Sequence, residues 1–131
     1  MWIRDRVTAG SDGRVAFGYV GDIGNQTWNG YMTISTDAFS EVPLFTTVQI
    51  NLPEDPIDSS NAYPEGCGYE RCGGLGDFLD MAVDQYGRPW FSLANNDAGE
   101  IGIFATITDG PSLRGDLLEL NSMPLGGVLT L

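Results

Sequence analysis

Alternation with a period of two is the feature that most limits what this chain can fold into. Val15, Phe17 and Tyr19 alternate with Ala16, Gly18 and Val20, and Met32 and Ile34 alternate with Thr33 and Ser35. Leu44, Val48, Ile50 and Leu52 alternate with Phe45, Thr47, Gln49 and Asn51. Leu79, Met81 and Val83 do the same with Asp80, Ala82 and Asp84, as do Ile101, Ile103, Ala105 and Ile107 with Gly102, Phe104 and Thr106. Successive side chains of a strand point to opposite faces, so these runs read as strands. No stretch keeps a helical period over about ten residues. Clusters of Gly, Pro, Asn and Asp at 9–14, 20–30, 36–43, 84–89, 94–100 and 108–115 separate the runs as turn residues do. The pattern predicts an all-β chain, and its 131 residues suit one domain, 1–131.

The runs also recur. "SDGRVAFGYVGD" (11–22) resembles "QYGRPWFSLANND" (85–97), and "GYMTISTD" (30–37) resembles "IGIFATITD" (101–109). Gly13 and Gly87 are 74 residues apart, Asp37 and Asp109 are 72 apart, and a two-residue length change accounts for the difference. Two units of four strands are expected, near 2–52 and 78–121, with a Gly-rich connection at 53–77 and an apolar tail at 123–131. Their strands are predicted at about 2–8, 14–20, 31–36 and 44–52, then 78–84, 88–94, 101–108 and 116–121. A repeated four-stranded antiparallel unit is the signature of β-propeller blades. A small eight-stranded β-sandwich fits the same pattern.

Charge narrows the functions. There are 18 acidic residues against 6 basic ones, all of them arginine, for a net charge of −12. That field repels a nucleic-acid backbone and argues against DNA or RNA as a partner. Histidine is absent, which removes Ser-His-Asp and Cys-His catalysis and His-ligated metal sites. No apolar run reaches the length of a membrane span. The opening "MWIRDRVTAG" lacks the apolar core of a signal peptide.

The segments "GRVAFGYVGD…WNGYMTISTDAF" and "CGYERCGG…DFLDMAVDQYGRPWF" resemble the sialidase-like β-propellers, whose blades often carry the bacterial neuraminidase repeat. The similarity spans roughly 12–109 and rests on strand patterns, Gly-Arg hairpin turns and paired cysteines before a strand. In that family a motif of the form S-x-D-x-G-x-T-W occupies the turn between a blade's third and fourth strands. Ser35-Thr36-Asp37 stands there in this chain, but Phe39, Glu41 and Val42 replace the later Gly, Thr and Trp; Asp109-Gly110 is the remnant in the second unit. The resemblance implies two blades of a propeller. It also implies that an active member would need an arginine triad, a tyrosine nucleophile with a carboxylate partner and an acidic proton donor. No such set can be carried onto Arg4, Arg6, Arg14, Arg71, Arg88 and Arg114, so no catalytic residue is assigned.

Two blades cannot close a ring, and their outer faces would stay apolar and wet, which soluble monomers avoid. The expected remedies are further blades, self-association (three chains making a six-bladed ring is one form) or packing of the two sheets as a sandwich. The tail "MPLGGVLTL" (123–131) is expected to complete a neighbouring sheet or a partner's sheet. The expected function is a non-catalytic module for carbohydrate or protein recognition, within a larger or oligomeric assembly. The alternatives are a sialidase-type glycoside hydrolase completed by other blades or subunits, and a structural subunit of an extracellular assembly.

Strand direction puts the loops 20–30, 53–77 and 94–100 at one end. There Asp22, Asn25, Trp28, Tyr69, Arg71, Asn95, Asn96, Asp97 and Glu100 mix aromatics, amides and acids, the groups that stack on sugar CH faces and bind hydroxyls. Asp80, on an innermost strand, joins them as a candidate facing a central channel. No organic cofactor is implied. Calcium is the one metal considered, at Asn95, Asp97 and Glu100, which offer oxygen ligands without the spacing of an EF-hand. The only cysteines, Cys67 and Cys72, have C-x4-C spacing, where a thioredoxin-like site needs C-x-x-C and a zinc knuckle needs two more soft ligands. A disulfide between them is expected; it would stiffen the loop by about 2 kcal/mol and place the protein outside a reducing cytosol. The expected location is extracellular or cell-surface, with any leader not present in this chain.

Overall fold

A computed structural model describes residues 4–22, 24, 27–59, 79–95 and 101–115. All regular structure among them is β. The strands are β1 (Arg4–Ala9), β2 (Val15–Asp22), β3 (Trp28–Ser35), β4 (Thr46–Gln49), β5 (Asp80–Val83), β6 (Pro89–Asn95) and β7 (Ile101–Thr106). They form two antiparallel sheets in simple meander order, β1-β2-β3-β4 and β5-β6-β7, and neither sheet closes on itself. The eighth strand expected at 116–121, the connection at 60–78 and the tail lie outside the described residues.

The fourth strand is shorter than the alternation suggests, and side chains explain both of its limits. The Leu44 amide is given to the Asp37 carboxylate, 2.9 Å away, so the ladder starts only at Thr46. Asn51 then closes the other end. Its Oδ1 accepts the Gly30 amide at 2.8 Å, while its Nδ2 donates to Asn29 Oδ1, Leu52 O and Asp55 O.

The pairing registers repeat with the offsets read from the sequence. Arg6 lies opposite Gly18, and 74 residues further on Asp80 lies opposite Ser92. Ala16 lies opposite Ile34; shifted by 74 and 72, Trp90 lies opposite Thr106. The first hairpin of each unit is built alike. Gly10 N donates to Arg14 O and Asp84 N donates to Arg88 O, and Gly13 and Gly87 take positive φ values of 72° and 85° at equivalent places.

Residues directly opposite one another share a face of the sheet. One face of the first sheet therefore carries Ala16, Gly18, Val20, Met32 and Ile34, and its other face carries Val7, Phe17, Tyr19, Tyr31 and Thr33. In the second sheet Met81, Phe91, Leu93, Ile103 and Ala105 share one face, and Ala82, Trp90, Ser92 and Phe104 share the other. The core joins the Ala16–Ile34 face to the Phe91–Leu93 face. Val20, Met32, Trp28, Ile57, Leu79, Phe91 and Leu93 form one buried cluster, and Ala16, Ile34 and Leu113 a second beside it. The Phe91 ring packs directly against Gly18 across the interface. A Cβ on Gly18 would lie 2.6 Å from Phe91 Cγ and 2.7 Å from Cε2.

Candidate functional site

The sheets touch along β1 and β5 and diverge towards β4 and β7. Two adjoining clefts of about 290 and 480 Å³ fill the resulting wedge, sharing Val48, Ile107 and Asp109. Ile34, Leu44, Thr46, Ile107 and Pro111 line the first, with Asp37 and Asp109 at its turn end. Backbone and side chains of Gln49, Ile50 and 104–108 line the second. Ligand pockets of this size usually set a few polar groups against apolar walls. Here the walls mix Ile34, Leu44, Val48 and Ile107 with Ser35, Thr46, Gln49 and Thr106, and no arginine is among the lining residues.

Of the two carboxylates that line the first cleft, Asp37 organises a turn. Asp37 Oδ1 accepts the Leu44 amide and, at 3.0 Å, the Ser35 hydroxyl, while the Asp37 amide donates back to Ser35 Oγ at 3.3 Å. The Leu44 amide first and the Ser35 hydroxyl second hold the Asp37 carboxyl below its ordinary value. This bonding lies in the turn between the third and fourth strands, and it uses the Ser and Asp of the partial Ser-x-Asp motif. Asp84 does comparable work between β5 and β6. Its Oδ1 accepts the Tyr86 and Arg88 amides at 2.9 Å each, and its Oδ2 accepts the Trp90 indole N–H at 3.1 Å. Partial burial would raise Asp84, but the Arg88 amide, the Trp90 indole, the Tyr86 amide and the Arg88 charge outweigh it and carry the group below its ordinary value.

Arg14, Arg88 and Arg114 are held in the framework. Arg88 is fully buried, its guanidinium 3.5 Å from Asp84 Oδ2 and over the Tyr86 ring at 5.1 Å. Arg14 donates to Ser112 O, and Arg114 Nε donates to Asp84 O at 3.1 Å. The segment 111–115 thus ties both hairpins together, helped by Leu113 N to Gly87 O at 2.9 Å and Ser11 N to Leu113 O at 2.8 Å. Arg6 reaches only its neighbour's carbonyl, Asp5 O.

Asp22, Trp28, Asp80 and Asn95 all fall at the end of the sheets opposite these hairpins. Their exposure differs sharply. Trp28 is only 4% exposed, packed in the core and fixed by backbone bonds to Asp58 O and from Ile57 N, so its ring is not offered to a sugar. Asn95 is 2% exposed. Asp22 accepts the Gly24 amide at 2.7 Å in its own turn, and Asp80, exposed, accepts the Met81 amide at 2.8 Å. Asn25, Tyr69, Arg71, Asn96, Asp97 and Glu100 lie outside the described residues, as do Cys67 and Cys72 with their expected disulfide. Two of the three residues considered for calcium fall there too, and no group of three acidic or cysteine side chains gathers among the described residues. Nor does any helix among them have the length and apolarity to cross a membrane.

The outer face of the first sheet, whose residues the sequence did not single out as a site, carries several aromatic contacts. Tyr19 and Tyr31 stack there with centroids 5.3 Å apart, Phe17 meets Phe45 at 6.0 Å, and the hydroxyls of Thr33 and Thr47 share a 2.6 Å hydrogen bond. Val7, beside Phe17, is 61% exposed. The signal was present as the odd-numbered positions of β2, which are as apolar as the even-numbered ones. On the opposite outer face, Phe104 of the second sheet is 75% exposed.

Among the described residues the fold is all-β, two antiparallel meanders of four and three strands packed on each other. Comparison with protein families, with curated proteins and with solved structures finds no match to this chain.

Proposed function

We propose that this chain is a non-catalytic recognition and assembly module of sialidase-like propeller architecture, whose outer sheet faces are its working surfaces. The observation that carries the reading is the exposure of Val7 and Phe104 beside half-buried aromatics on the outer faces of two sheets of repeated register. Large apolar patches mark interaction surfaces, and aromatic side chains are enriched in them. The propeller form draws support from the meander order, from near contact at β1 and β5 with divergence towards β4 and β7, and from the Asp37 turn. A two-layer sandwich uses the same strands; the repeat of register favours blades, because it makes the two sheets copies of one unit.

Among the two classes of ligand, a protein surface fits these faces better than a glycan. Of the loop-end candidates that the structure describes, Trp28 and Asn95 are buried, while Val7 and Phe104 are exposed on the sheets. Against the hydrolase alternative, Asp37 and Asp84 bind turn amides and Arg14, Arg88 and Arg114 hold the framework. The test is incubation with a fluorogenic sialoside alongside a glycan panel. No turnover is expected. Turnover that disappears on substitution of one tyrosine or one acid overturns the reading.

A further inference from the structure

The repeat fixes which faces are used and which are left over. Shifting the buried face of the first sheet by 74 residues on β2 and 72 on β3 maps Ala16, Gly18 and Val20 onto Trp90, Ser92 and Ala94, and Met32 onto Phe104. Those residues form the outer face of the second sheet. Shifting the outer face of the first sheet maps Val7, Phe17 and Tyr19 onto Met81, Phe91 and Leu93, and Tyr31 onto Ile103. Those form the buried face of the second sheet. The contact inside the chain is therefore between unlike faces of two equivalent units, and on the complementary faces Val7 and Phe104 are exposed, Phe17, Tyr19, Tyr31 and Trp90 half-buried and Ala94 buried.

Resting on the assembly reading above, we infer that the partner is a second copy of this chain, docked head to tail. The Trp90–Phe104 face of one copy covers the Val7–Tyr31 face of the next, repeating the packing that already joins the two sheets. Such a heterologous contact builds a ring if its rotation closes and an open array if it does not. Phe104 takes the place of fully buried Met32, and Phe17 that of fully buried Phe91. Ser92 stands where the first unit has Gly18, so the intermolecular spacing is wider there than at the Gly18–Phe91 contact. Asp5 of one copy and Asp80 of the next fall on the same edge of the contact, and each chain carries −12, so electrostatics oppose assembly at low ionic strength.

Light-scattering mass measured against concentration and salt tests this. The 131-residue protein should exceed its monomer mass of 14.1 kDa, and more so as salt rises. Phe104→Asp and Val7→Asp change exposed positions, so both variants should keep the unmodified protein's circular dichroism and melting temperature. Each alone should be monomeric. Mixed one to one, they should form a dimer and nothing larger, because each keeps the one intact face that the other needs. A monomeric unmodified protein at millimolar concentration and high salt overturns the inference. So does association that Val7→Asp abolishes and Phe104→Asp leaves intact, the mark of a symmetric dimer. Association that weakens with salt also overturns it, since that marks opposite-charge docking. Any of these leaves the sialoside assay, and the module reading it tests, unaffected.

Discussion

Replacing Gly18 by alanine puts the packing of the two sheets to the test. Gly18 lies mid-strand on β2, opposite Met32 of β3, and faces Phe91 across the interface. A methyl group there would sit 2.6–2.7 Å from two atoms of the Phe91 ring and closer still to Cδ2. Carbon atoms rest at about 3.5–4.0 Å, so either the sheets part by about 1 Å or the ring leaves its rotamer. Phe91 is fully buried and has little room to turn. Overpacking of this kind costs about 1–3 kcal/mol, and the rigid neighbour puts Gly18→Ala at the upper end. With a urea slope of about 1.5 kcal/mol per molar, the unfolding midpoint should fall by about 1–2 M. Phe91→Ala alone should cost about 3–5 kcal/mol through the cavity it leaves. Combined, the two should cost at least about 1 kcal/mol less than the sum, because the new methyl group enters that cavity. Additive costs, or a Gly18→Ala midpoint unchanged from the original, would refute the face-to-face placement of β2 and β6.

Asp84→Ala removes the acceptor for two backbone amides and the Trp90 indole and takes one carboxylate contact from buried Arg88. Urea unfolding should register a loss of about 1–3 kcal/mol from the groups left unsatisfied in this turn. Acid should weaken the fold in a defined window. Asp37 and Asp84 both have folded-state pKa values below their unfolded ones, so their contribution is complete above the ordinary carboxylate range, about pH 4, and is lost as pH falls through the folded values. Asp37→Asn should flatten that acid limb in a plot of urea midpoint against pH, and an unchanged slope would count against the role of Asp37. Gly87 and Gly24 separate strain from space: both have positive φ, but a Cβ on Gly87 would strike Ser112 Oγ and lie 2.7 Å from Arg114 N, whereas Gly24 has open surroundings. Gly24→Ala should cost about 1 kcal/mol by thermal melting, and Gly87→Ala distinctly more.

Much of the candidate site was hidden from the sequence because burial depends on what arrives from elsewhere in the chain. Trp28 sits at the start of a strand beside a polar loop, which suggests a solvent-facing aromatic. It is buried because Ile57 and Asp58 fold back onto its backbone some thirty residues later. Asp37 was legible as a turn carboxylate from Ser35-Thr36-Asp37, since that bonding is local. Its hold on the Leu44 amide, which shortens β4, crosses seven residues of turn and has no signature in the alternation.

By itself the sequence determined the all-β character and the positions of the described strands, apart from the limits of β4. Period-two alternation selects strands, Gly13 and Gly87 place the hairpins, and the offsets of 74 and 72 impose one register on both units. These are local or nearest-neighbour properties, carried by backbone geometry and by pleat. Only the tertiary structure decided which face of each sheet goes inside. On β2 both faces are apolar, Ala16, Gly18 and Val20 on one and Phe17 and Tyr19 on the other, so hydrophobicity alone cannot choose between them. The choice is steric and long-range: Gly18 makes room for the ring of Phe91, 73 residues away, and the aromatic face is left outside.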